Sequence, residues 1–196
     1  MKGRPLIEVL AHRRSTDPAR KRQRATGSAA EALLEAQHAL ARARGLAYIT
    51  KRPTPVRVTR VDRGRVTGFF ERSPGVDYCG VLANGRAIYA EAKACHAGSF
   101  ALRELEPEQI LELDLVASLG ASAWLLVVWT PSTVTARSVL GGQPVVCAIP
   151  WRVVRQHIDA MVSSIPGAVL TQYATRGART WLEAALDSGH WLQSRP

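Results

Sequence analysis

Apolar residues recur at helical spacing after Gly27: Ala30, Leu33, Leu34, Leu40 and Ala41, with Gln37 in the same stripe. The pattern predicts a helix over about 28–44, with Ser28 as N-cap, Glu31 at the capping-box position and Gly45 ending it. A second stripe, Glu31, Glu35, His38 and Arg42, shares one face and is expected to be solvated. The period then changes. Leu46–Ile49 begins the strands, and Lys51-Arg-Pro-Thr-Pro55 is extended, because each proline biases its predecessor away from helix. From Val56 to Phe70 apolar residues alternate with Arg57, Arg60, Arg63 and Arg65 around Asp62-Arg-Gly64, which predicts a basic hairpin. Phe69 and Phe70 at its foot are expected to pack in the core, with stacking on bases as the alternative.

Two further strands, Asp77–Val81 and Arg86–Lys93, flank the hairpin signal Ala83-Asn-Gly85. A loop over 94–105 leads to a helix at about 107–119, with Pro107 in its first turn. The run Ala123–Trp129 suits a buried central strand, and Pro144–Ile149 suits another. Helices near 151–164 and 177–187 follow. Trp151, Tyr173, Trp181 and Trp191 are expected in the core. The order helix, three strands, helix, strand implies an α/β fold with a mixed sheet flanked by helices.

Charge adds a partner to this picture. The 196 residues carry a formal net charge of +10, with 22 arginines but only four lysines. Such a surface fits a polyanion, and nucleic acid before membrane. No apolar run reaches the roughly 18 residues needed to span a bilayer. Residues 1–26 hold eight basic residues against two acids, so they are expected to form a mobile basic arm. Residues 27–196 are expected to be a single domain, with a core over 27–150 and C-terminal helices over 151–190. Cys79, Cys95 and Cys147 match neither a disulfide framework nor a zinc pattern, and nothing suggests export. The expected location is the cytoplasm.

One of the four lysines, Lys93, follows Glu91 by two residues on a strand, and Asp77 lies fourteen residues before Glu91. Side chains two apart on a strand share a face, so Glu91 and Lys93 project together with Tyr89, while Ala90 and Ala92 face the other layer. The hairpin brings Asp77 back beside Glu91. Two converging carboxylates make a site for a hard cation such as magnesium. A lysine beside it can orient a water or offset charge developing on a phosphate, a compact point charge that arginine does not supply. An acid, a gap and Glu-x-Lys on a strand is the pattern of metal-dependent DNA nucleases. A surface salt bridge between Glu91 and Lys93 is the simpler reading of the same residues.

Four motifs occur in order: Lys51-Arg-Pro-Thr-Pro-Val56, Val76-Asp-Tyr-Cys-Gly-Val81, Glu91-Ala-Lys93 and Glu108-Gln109. With the helix bearing Glu31, they resemble the RecU family of Holliday-junction resolvases over about residues 27–130. The resemblance implies a restriction-endonuclease-like core and a homodimer that nicks opposing strands of a four-way DNA junction with magnesium or manganese. It implies Asp77 and Glu91 as metal ligands, Lys93 as the water-positioning lysine and Gln109 as a helix residue facing the site. Glu31 falls where the family has an acid near the metal, and it is equally read as a helix cap. Lys51, Arg52 and Thr54 would contact the DNA backbone, and Arg57, Arg60, Arg63 and Arg65 would engage DNA from the hairpin. The stretch 56–72 is shorter than the family's stalk, Glu108 stands where a histidine is usual, and the chain beyond 131 matches poorly. The protein would act in a bacterial cytoplasm or, if phage-encoded, in that of the host. A nuclease acting on ordinary duplex and a non-catalytic junction-binding protein are the alternatives. An RNA-directed nuclease would want an exposed aromatic platform, which this chain is expected to lack.

Overall fold

The computed structural model describes residues 7–9, 18–71, 75–130, 143–175 and 179–187. In chain order the elements begin with β1 (Ile7–Val9), α1 (Pro18–Ala43), β2 (Ala47–Lys51), β3 (Val56–Asp62) and β4 (Arg65–Phe70). Next come β5 (Tyr78–Leu82), β6 (Ala87–Cys95), β7 (Ser99–Ala101), a short 3-10 turn (Leu102–Glu104) and α2 (Pro107–Ser118). The chain continues through β8 (Ser122–Trp129), β9 (Val145–Pro150), α3 (Trp151–Asp159), β10 (Ser164–Pro166), α4 (Gly167–Gln172) and α5 (Trp181–Asp187).

The centre is a five-stranded sheet in the order β2-β5-β6-β8-β9. It is mixed: β6 and β8 run parallel, and the other pairs are antiparallel. The expected α/β class and its helix, three strands, helix, strand core are therefore present as α1, β2, β5, β6, α2 and β8. Strand β8 is buried along its whole length because both its faces are covered. Its Trp124, Leu126 and Val128 meet Leu34 and Ala41 of α1 and Trp181 and Leu182 of α5. Its Leu125, Val127 and Trp129 meet Leu113 of α2, Val154 of α3 and Leu170 of α4. Full burial of each such aliphatic side chain contributes roughly 1.5–3 kcal/mol. Among the described residues no helix is long and apolar enough to cross a membrane.

Several expectations change. Helix α1 starts at Pro18, inside the expected arm, so Ser28 and Glu31 are mid-helix and neither caps it. Proline opens a helix readily because its missing N–H would be unpaired there and its φ is already helical. Residues 7–9 pair in parallel with β4, while 1–6 and 10–17 lie outside the described residues, as does Trp191. His38 is not solvated: it is 3% exposed and packs edge-on against Tyr78 and Trp181. Helix α1 crosses the sheet, so its buried stripe is wider than the apolar residues alone suggest. The 94–105 stretch is not a plain loop, since β7 pairs with β10 there. Helix α3 stops at Asp159, where Met161 turns the chain at φ 53, and Pro166 disfavours helix before it. Phe69 and Phe70 are 49% and 60% exposed rather than core. Their hairpin joins β1 in a separate three-stranded sheet, and among the described residues no helix packs extensively on it.

Candidate active site

Register places the two acids. Tyr78 pairs with Ala90 in the β5–β6 ladder, so Asp77, one step beyond, comes opposite Glu91. The pair is cross-bonded through the backbone. The Asp77 amide donates to Glu91 Oε2 at 3.2 Å, and the Ala92 amide donates to Asp77 Oδ2 at 3.1 Å. Each carboxylate thus accepts from the other residue's strand. Ala90 and Ala92 pack toward α1, leaving Glu91, Lys93 and Tyr89 on the α2 face, as strand alternation requires.

Glu91 is 1% exposed. Its Oε1 accepts from Lys93 Nζ at 2.8 Å and from Gln109 Nε2 at 2.7 Å. Burial, reinforced by the neighbouring Asp77, pushes its carboxyl up to about 7, against the opposing pull of Lys93. The ion pair is therefore no surface bridge, which separates it from the simple reading of Glu91 and Lys93. Removing a buried pair's partner leaves an uncompensated charge, at a cost on the order of 3–5 kcal/mol.

Gln109 owes its orientation to the start of α2. It is the third residue of that helix, and its Oε1 accepts from the Glu106 backbone amide at 3.0 Å in a capping box. With its oxygen engaged there, its NH2 faces Glu91. The Glu106-Pro-Glu-Gln109 spacing carries this signal, which reading 107–119 for its proline alone passes over.

A cavity of about 120 Å³ is lined by Glu31, Lys51, Asp77, Tyr78, Ala92 and Lys93, among others. Across it, Glu31 of α1 pairs with Lys51 of β2 at 2.5 Å. Glu31, Asp77 and Lys93 thus border one space, and Glu91 and Gln109 lie behind it. Among the described residues no group of three or more His, Cys, Asp or Glu is arranged to hold a metal. Asp77 and Glu91 nonetheless fit a hard divalent cation. Both offer only oxygen, and burial with Asp77 alongside outweighs the pull of Lys93 on Glu91, so the pair has room for further positive charge.

The residues expected on DNA separate into two groups. Arg57, Arg60, Arg63, Arg65 and Thr54 are exposed. Arg60 meets Asp62 at 3.2 Å and Arg57 meets Glu71 at 4.0 Å, exposed pairs of little energetic weight. Lys51, also exposed, pairs with Glu31 of α1, while the half-buried Arg52 pairs with Glu112 of α2 at 2.6 Å. Glu112 has no place in the motifs read from the sequence. Its one hint is its position three residues after Gln109, on the same helix face.

Comparison with known proteins gives the chain a family. The family model described as RecU, Recombination protein U, matches residues 25–135, more than half of the chain. A Holliday junction resolvase RecU of Lactococcus lactis subsp. lactis (strain IL1403) is 33% identical over 103 residues, 49% of this chain and 48% of that protein. The protein of the same name from Lactococcus lactis subsp. cremoris (strain MG1363) is 33% identical over 90 residues, 42% of each. The chain spans about half the length of the curated relatives it matches.

Proposed function

The chain belongs to the Recombination protein U (RecU) family, and from that premise we propose that it is a metal-dependent endonuclease that resolves four-way DNA junctions. The observation that carries this reading is the buried Glu91, bonded at once to Lys93, to Gln109 and to the amide of Asp77. A structural ion pair needs no second carboxylate beside it, whereas a site that holds a divalent cation for phosphodiester hydrolysis uses one.

Asp77 and Glu91 would hold magnesium or manganese. Such an ion supplies Lewis-acid stabilisation of a phosphate and a more acidic water. Lys93, whose ammonium stands at the cavity, holds a water or a phosphate oxygen in line and offsets negative charge as it develops. Gln109 keeps Glu91 from rotating. The Glu31–Lys51 pair sets a second cation across the cavity, able to meet a backbone phosphate. The exposed arginines of β3 and β4 bind phosphates without reading bases, so affinity is salt-dependent and selectivity comes from junction shape. Paired nicks on opposing strands call for two such sites related by a two-fold axis, hence a homodimer.

Cleavage of a synthetic immobile junction in magnesium tests this, with matched linear duplex as control and Asp77→Asn beside wild type. Symmetric nicks absent from the duplex and from the variant are expected. Equal cutting of both substrates would make the protein a general nuclease. Tight junction binding without cleavage in either metal would make it a binding protein.

A further inference from the structure

Helix α2 reaches the acid pair twice. Gln109 bonds Glu91, and one turn later Glu112 bonds the chain that delivers Asp77. Glu112 Oε2 accepts from the Val76 amide at 2.7 Å. Both Glu112 oxygens accept from Arg52 Nη1, at 2.6 and 2.8 Å. Arg52 closes the ring, because its own backbone amide donates to the Asp77 carbonyl at 2.7 Å. Val76 between them is fully buried against the α2 layer.

The residue before Val76 is fitted to this arrangement. Gly75 has φ +139, and a Cβ there would stand 2.0 Å from Glu112 Oε2 and 2.9 Å from Arg52 Nη1. A side chain at this position would therefore push the carboxylate and guanidinium off the turn as well as straining the backbone. Both partners are partly shielded, with the Glu112 side chain 22% exposed and that of Arg52 31% exposed. Charge-assisted bonds so placed are among the stronger ones.

We propose that Glu112, acting through Arg52 and the Val76 amide, is a positioning residue that sets Asp77 against Glu91. Helix α2 then fixes both carboxylates from one face, Glu91 through Gln109 and Asp77 through Glu112. Arg52 belongs to this clamp and is not a contact to DNA phosphate. The metal consequence rests on the nuclease reading, since the separation of two ligands matters only if something bridges them.

The test uses the full chain with Glu112→Gln and Arg52→Gln. In metal-free protein, hydrogen exchange at the Val76 and Asp77 amides should accelerate about tenfold or more in both variants, the size expected for loss of a charge-assisted bond. Amides of β8 should keep their protection. Calorimetric manganese affinity should weaken about tenfold in both variants, and metal-free junction affinity should stay at the wild-type level in both. Unchanged exchange at Val76 and Asp77 would overturn the clamp. Faster exchange with unchanged manganese affinity would reduce Glu112 to a structural residue and overturn its positioning role. Weaker junction binding by Arg52→Gln alone, with manganese affinity intact, would return Arg52 to DNA contact and overturn the proposal. If wild type binds no manganese, the nuclease reading falls, while exchange still decides whether Glu112 holds the turn before Asp77.

Discussion

Two antiparallel hairpins of similar size lie close together in this sequence and have opposite characters. The β5–β6 hairpin sits within the five-stranded sheet, covered by helices on both faces, and carries the buried Glu91 cross-bonded to Asp77 at the start of the hairpin. The β3–β4 hairpin is joined, among the described residues, by the short β1 and exposes arginines together with Val58, Val61, Phe69 and Phe70. Both show the alternation of a strand. Their neighbours differ, and so does what the charges do. Inside the sheet, desolvation turns one carboxylate into a tightly held, perturbed group. Outside it, the same Coulomb forces act through water and favour a diffuse polyanion.

The largest effect that would sharpen this contrast is catalytic. Glu91→Gln should lower single-turnover junction cleavage by on the order of 10³-fold, while junction affinity in metal-free buffer changes little. An active Glu91→Gln would break the division between a chemical hairpin and a binding hairpin. Next in size is the converse change. Replacing Arg57, Arg60, Arg63 and Arg65 together by Gln should flatten the dependence of log affinity on log salt by about three to four units. Calorimetric manganese affinity should not move, because these side chains do not touch the acid pair.

A smaller effect appears in stability without metal. Glu91 has its carboxyl raised by burial to about 7 from an ordinary 4.5. The folded state therefore holds a proton there that the unfolded state has already lost. Its stabilising contribution is complete below about pH 4.5 and disappears as pH rises through 7, by up to about 3 kcal/mol. Denaturant midpoints across that window should fall in wild type and stay flatter in Glu91→Gln; parallel curves would mean that Glu91 is not held as a buried acid. The smallest effect belongs to the other hairpin. Phe70→Ala should change stability by about 0.5 kcal/mol or less, as for an exposed site. A loss of several kcal/mol in urea unfolding would place that ring in a core after all.

The acid pair was legible because strand arithmetic is local. Two residues along a strand define a face, and a short turn defines which residues oppose. Asp77, Glu91 and Lys93 needed nothing more to be brought together. His38 shows the opposite case. Its spacing marks a face of α1, yet only the packing of Tyr78 and Trp181 tells that the face is covered. Phe69 and Phe70 failed in reverse, since aromatic residues on a strand pattern imply a core only if a layer arrives to cover them. Glu106 and Gln109 lay in between: a capping box is readable from spacing, but its outcome, an amide turned toward Glu91, requires the helix to be docked.

By itself the sequence determined the α/β order, the two hairpins and the convergence of Asp77 with Glu91, because hydrophobic period and turn chemistry act over a few residues. Tertiary structure alone decided which cations meet acids from distant elements. Arg52 and Lys51 read like the arginines that follow them, yet they end against Glu112 and Glu31, carried there by helices distant in the chain. A charge's role depends on the dielectric and partners around it, and those are set only when separate elements pack together.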